Sequence, residues 1–209
     1  MLELLLTQFV LLWAVIDPVG SIPVFLSQTQ GMSASQQRRV AIKAIVISAL
    51  TLMFFLIAGQ VLLEAMAVPL PAFQVAGGLV LLLFALTMIF GQSKPDSEMA
   101  MQDENLWDKA VYPLAIPSIA SPGAMLAIVL LTDNDRFGLS QQAITAGIML
   151  TVLLITLLLL LLANPIQRVI GAAGAAIISR VMGLILASVA MNELLSGLHS
   201  YFTQLHALS

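Results

Sequence analysis

Six apolar runs, near residues 2–30, 40–63, 70–90, 107–132, 140–163 and 177–198, dominate the chain. Each reaches or exceeds the ~20 residues that a helix needs to cross a bilayer core of ~30 Å. Lipid offers no partner to free backbone groups, so such runs must be helices, and the alternation of a membrane β-barrel is absent. Composition agrees: 60% of the 209 residues are apolar and 9% charged, against roughly 45–50% and about 25% in soluble domains. The expected fold is an all-α integral membrane protein with six transmembrane helices. No Lys or Arg precedes Arg38, so the first run lacks the basic start of a cleaved signal peptide and is expected to remain in the mature chain. The absence of cysteine excludes disulfides and thiolate metal sites.

Basic residues orient the spans. Arg38, Arg39 and Lys43 follow the first helix, Lys94 and Lys109 lie between the third and fourth, and Arg168 and Arg180 between the fifth and sixth. Only Arg136 falls on the other side. The positive-inside rule puts those three loops in the cytoplasm and both termini outside. In a bacterium this means a multi-pass inner-membrane protein with periplasmic termini.

The chain divides into a first three-helix repeat, 1–91, an acidic cytoplasmic linker, 92–108, a second three-helix repeat, 109–199, and a tail, 200–209. Ser35–Gln37 recurs as Ser140–Gln142, and the same shift of 105 residues lays Val75–Leu81 over Arg180–Leu186, matching Gly78 with Gly183. Asp17-Pro18-Val19-Gly20 lies 104 residues before Ser121-Pro122-Gly123. The shared offset points to an internal duplication. Three helices per half make the copies inverted repeats, the arrangement of many secondary transporters, whose sites lie near the midplane where interrupted helices meet.

Helices 1 and 4 carry such interruptions, in "WAVIDPVGSIPVF" and "LAIPSIASPGAML". Asp17 before Pro18, and Ser121 before Pro122, each read as an N-cap followed by proline at the first helical position. Breaks are expected near 16–21 and 117–123, with two half-helix starts presenting free N–H groups to an anionic group. Asp17 inside a span costs ~2.5–3.5 kcal/mol on insertion scales, which makes it a functional candidate, the alternative being simple proline kinks with Asp17 as a capping group facing water. The candidate substrate-binding residues are Asp17, Pro18, Val19, Gly20, Ser21, Ser118, Ser121, Pro122 and Gly123. Gly77 and Gly78 join them as residues expected to bring helix 3 beside the break in helix 1. Asp17 is also the candidate coupling-ion residue. Glu64 and Glu193 read as solvated at helix ends, Gln74 and Asn192 as interhelical hydrogen-bonding groups, and the "GAAGAA" run, 171–176, as a close-packing surface.

The stretches "IDPVGSIPVF", "VAGGLVLLLFALTMIFG", "YPLAIPSIASPGAM" and "SRVMGLILASVAMNELLSGL" resemble the signature segments of the MarC family, small six-helix inner-membrane proteins of bacteria and archaea. The resemblance leaves out mainly the acidic linker and the last residues. It implies transport, since archaeal relatives are assigned as neutral amino-acid transporters. The family's Asn-or-Asp-Pro-x-Gly pattern falls on Asp17, Pro18 and Gly20, and its second pattern on Pro113, Leu114, Ala115, Pro117 and Pro122. Ser121 stands where Gly is common, and Gln74 where a basic residue is usual. The pattern accepts Asn at the position of Asp17, and a polar cap and ligand contact fits both.

The reading is therefore a secondary transporter of small neutral amino acids, of the glycine or alanine type, coupled to a proton or sodium ion. Its alternatives are an exporter of another small solute and a non-transporting membrane assembly or stress-related protein. An intramembrane hydrolase built on Ser121 is disfavoured, because His199 and His206 lie at or beyond the end of helix 6, far in depth from the break. Small-molecule substrate and membrane lipid are the expected partners, and a homo-oligomer is compatible with the sequence. No cofactor, metal or nucleic acid is expected.

Overall fold

A computed structural model of the protein describes residues 2–65, 68–90, 110–133 and 138–207. The acidic linker and Arg136 lie outside the described residues. The elements are α1 (Leu2–Ile16), α2 (Ser21–Gln28), α3 (Ala34–Ala65), α4 (Leu70–Phe90), α5 (Ala110–Ile119), α6 (Pro122–Leu131), α7 (Leu139–Leu161) and α8 (Ala163–Ala207). Among the described residues there is no strand.

Among the described residues five segments are long and apolar enough to cross a membrane: Leu5–Gln28, Ala34–Gly59, Pro71–Phe90, Leu139–Leu161 and Ala176–Thr203. The fourth expected span differs. In place of a long helix it is the irregular α5 followed by the ten-residue α6, because prolines interrupt the segment. Tyr112 (φ −127°, ψ 132°) and Ile116 (φ −131°, ψ 123°) are extended inside α5. Each precedes a proline, whose ring excludes its neighbour from the α region.

The long helices turn apolar stripes outward. On α3 these are Ile42, Val46, Leu50, Phe54, Ile57 and Val61, and on α7 Leu150, Leu154, Leu158 and Leu161. Steps of three and four residues make one continuous face per helix. Ile57 is 69% exposed and Leu50 67%, which suits a hydrocarbon surround. The opposite face of α3 buries Val40, Ala41, Ala44, Ser48 and Leu52.

α4 and α8 make the most extensive helix pair, and glycines set their separation. A Cβ on Gly78 would lie 2.7 Å from Leu194 N and 2.8 Å from Ala190 O, and one on Gly183 2.8 Å from Met88 Cβ. A Cβ on Gly197 would sit 3.0 Å from Pro71 O. Contacts that rise along α4 while falling along α8 make the pair antiparallel. The "GAAGAA" run behaves otherwise: Gly171 takes φ +68° with nothing within 4 Å, and Gly174 faces only Ile170. The run therefore breaks α8 at Gly171, and the close packing falls to the seam glycines.

Candidate functional site: two facing helix interruptions

The first break lies where the sequence places it, with a different local geometry. Asp17 N–H still donates to Trp13 O at 3.0 Å, yet Asp17 adopts φ +47°. Among non-glycine residues, Asp and Asn are the ones that enter this left-handed region most readily. Asp17 thus ends α1 instead of capping the next helix, and α2 begins at Ser21 after the turn Pro18–Gly20. The positive φ decides this, since an N-cap residue keeps extended dihedrals. Its carboxylate still serves the start of α2. Gly20 N–H donates to Asp17 Oδ1 at 3.0 Å, and Ser179 Oγ, from α8, donates to Oδ2 at 3.1 Å. Gly20 has no room for a side chain: a Cβ there would collide with Asp17 Oδ2 and lie 2.6 Å from Ser179 Oγ.

The second break follows the expected chemistry. Ser121 is extended (φ −69°, ψ 157°) and caps α6, accepting from Ala124 N–H at 3.0 Å, with Pro122 opening the helix. Upstream, Ala115 O accepts from Ala120 N–H at 2.8 Å and from Ser48 Oγ of α3 at 3.3 Å. A carbonyl displaced from the regular ladder by the extended Ile116 is thereby satisfied inside an apolar surround.

The interruptions meet. Ser121 Oγ donates to Val15 O at 3.1 Å, a carbonyl left without its helical partner by the turn at Asp17. Ser21 Oγ donates to Asp17 O at 3.0 Å and lies 3.5 Å from Ser118 Oγ. All five polar side chains are buried: Asp17 is 3% exposed, Ser118 and Ser179 2%, and Ser21 and Ser121 0%. The cluster holds one carboxylate among four hydroxyls, with α2 and α6 both starting beside it. Such a set offers donors to an anionic group and acceptors to a cation or proton. Among the described residues no three His, Cys, Asp or Glu side chains converge.

Asp17, Gly20, Ser21, Ser118 and Ser121 are thus brought together. Pro18 is buried in the turn, Val19 is half-buried against the core, and Pro122 is exposed. Gly123 faces α4, where a Cβ would lie 3.2 Å from Leu81. Gly77 faces Leu126 of α6 and Gly78 faces α8, so this pair seats α4 against α6 and α8 and not beside the first break. Gln74 does make its interhelical bond, donating to Glu193 Oε2 at 2.6 Å. Glu193 is therefore half-buried and bonded rather than freely solvated. Ser48 is a lone serine in an apolar helix with no local motif, and Ser179 opens the signature stretch at 179–198 without any local signal that it meets Asp17.

Replacing Ser121 with Ala removes both the cap of α6 and the donor to Val15 O, and is expected to destabilise the protein by roughly 1–3 kcal/mol. Ser121→Gly should cost less, since glycine is an accepted N-cap residue. Thermal unfolding of the two variants in detergent checks the order; equal stability of Ser121→Ala and the parent would remove the cap.

Comparison with known proteins finds relatives across nearly the whole length. A family model described as MarC family integral membrane protein matches residues 2–202. A UPF0056 membrane protein of Methanocaldococcus jannaschii is 31% identical over 203 residues, covering 94% of this chain and 97% of that one. One from Pyrococcus horikoshii is 31% identical over 205 residues, covering 97% and 99%. One from Buchnera aphidicola subsp. Schizaphis graminum is 26% identical over 198 residues, covering 95% and 97%. No solved structure matches the chain.

Proposed function

The chain belongs to the MarC family of integral membrane proteins, and from that premise we propose that it is a secondary transporter of small neutral amino acids, glycine or alanine in type, working by alternating access. The observation that carries the reading is the meeting of two interrupted helical segments in one buried polar cluster around Asp17. Broken helices whose ends face each other inside hydrocarbon are how secondary transporters build a site for a charged or zwitterionic solute. The hydroxyls of Ser118, Ser121 and Ser179 suit a carboxylate once they turn from their present acceptors, and Asp17 suits an ammonium group or a coupling proton or sodium ion. The substrate class comes from the resemblance to archaeal relatives assigned as neutral amino-acid transporters.

In this reading α5 and α6 together form a further crossing, giving six, and the two halves are inverted repeats with the basic loops cytoplasmic and both termini periplasmic. Reciprocal packing supports the repeat. α4 lies on its counterpart α8 and α3 on its counterpart α7, while α3 also touches α5 and α6 as α7 touches α1 and α2. The cluster is closed on every side, as suits an occluded state between two openings.

Proteoliposomes of the purified protein, supplied from outside with labelled glycine, alanine or serine and given an imposed proton or sodium gradient, are expected to accumulate at least one of them. Absence of flux under every gradient would overturn the proposal in favour of a non-transporting membrane role.

A further inference from the structure

Two cavities flank the bundle, and their linings correspond. One, about 330 Å³, is lined by Ala34, Gln37, Arg38 and Leu161, with Phe25 and Asn164 among the remaining residues. The other, about 370 Å³, is lined by Leu139, Gln142, Ala143 and Leu56, with Thr132 among the remaining residues. Four lining pairs share a single offset of 105 residues: Ala34 with Leu139, Gln37 with Gln142, Arg38 with Ala143, and Leu56 with Leu161. This is the shift that relates the halves of the sequence. The first cavity sits at the start of α3 and the end of α7, the second at the end of α3 and the start of α7. They therefore lie at opposite ends of the bundle.

Their depths differ. Phe25 is on α2 one helical turn beyond Ser21, a rise of ~6 Å, whereas Thr132 lies eleven residues beyond Ser121, ~16 Å along α6. Phe25 is 1% exposed and is the residue of α2 that lines the Arg38 cavity, one turn from Ser21 of the polar cluster. Resting on the transport reading above, we propose that the two cavities are the opposite mouths of one path through the cluster, and that Phe25 is the thin gate of the Arg38 mouth. The pair Gln37 and Asn164, joined at 3.1 Å, lines that mouth with amides beside a cation. Its counterpart has Ala143 in place of Arg38, so the mouth on the basic face is the one built to attract a carboxylate.

The chain has no cysteine, which makes single-cysteine labelling direct. Ala34→Cys and Ala143→Cys, in sealed vesicles of known orientation, are expected to react with a membrane-impermeant maleimide from opposite faces. Ser21→Cys should be protected, and adding Phe25→Ala should speed its labelling at least about tenfold from the Ala34 face only. Circular dichroism and elution in detergent identify variants that keep the parent fold, and Phe25→Leu, which retains bulk, should keep Ser21→Cys protected. Labelling of Ala34→Cys and Ala143→Cys from the same face, or no change on opening Phe25 in a folded variant, would overturn the path. Labelling needs no substrate, so the expected pattern without amino-acid flux would uphold the path while overturning the amino-acid transport reading.

Discussion

Asp17→Asn is expected to keep the fold and substrate exchange while abolishing accumulation driven by a pH gradient. Asparagine is nearly isosteric and tolerates the positive φ of this position. Its amide oxygen can accept from Gly20 N–H as Asp17 Oδ1 does at 3.0 Å, and its NH₂ can donate to Ser179 Oγ, now 3.1 Å from Oδ2. What disappears is the one group in the cluster able to take up and release a proton. Counterflow of labelled amino acid at equal concentrations reads exchange, and uptake against a gradient reads coupling. Full coupling in the variant would remove Asp17 as proton carrier and leave it a polar ligand. Asp17→Ala is a different test. It loses two buried hydrogen bonds and places alanine in a left-handed conformation, together destabilising by roughly 2 kcal/mol or more. Loss of stability in Asp17→Ala together with loss of coupling alone in Asp17→Asn would separate the structural from the chemical part of this side chain. The strained φ at a buried carboxylate is itself the kind of feature that collects at functional sites.

The second large effect is expected at Gly78. Its added Cβ would meet backbone atoms, Leu194 N at 2.7 Å and Ala190 O at 2.8 Å, and a helix backbone cannot step aside as a side-chain tip can. Gly78→Ala should therefore push α8 away from α4 and destabilise the protein by roughly 1–3 kcal/mol, outweighing the ~0.5–1 kcal/mol that alanine gains over glycine in a helix. The neighbour Gly77 makes the control. A Cβ there meets only the end of the Leu126 side chain, at 2.6 Å, and rotation of that side chain makes room. Gly77→Ala is expected to unfold near the parent temperature and Gly78→Ala well below it, in thermal melts in the same detergent. Reversal of that order would refute the close approach of α4 and α8. Because α8 also carries Ser179 to Asp17, displacement of this helix should loosen the polar cluster too, so Gly78→Ala should impair transport more than its stability loss alone predicts.

Much of the architecture was legible in the residues. Apolar runs set the helices, since backbone groups in hydrocarbon have no partner but their own helix. The interruptions followed from local rules: Ser121 before Pro122 has the chemistry of a helix start and behaves as one, and Asp17-Pro18-Val19-Gly20 marks a break whose place, though not its local geometry, the residues give. Even the cavities obey the 105-residue shift visible in "SQQ". Three-dimensional packing decided the rest. That Asp17 closes one helix rather than opening another depends on its backbone hand, and Asp accepts either role. Ser179 reaches Asp17 across 162 residues, Gln74 reaches Glu193 across 119, and Gly78 meets α8 instead of the first break. In a soluble protein, hydrophobic periodicity tells which face of a helix turns inward. Here lipid and core are both apolar, so that signal is nearly erased, and only the fit of side chains between helices determines which lone polar residues come together.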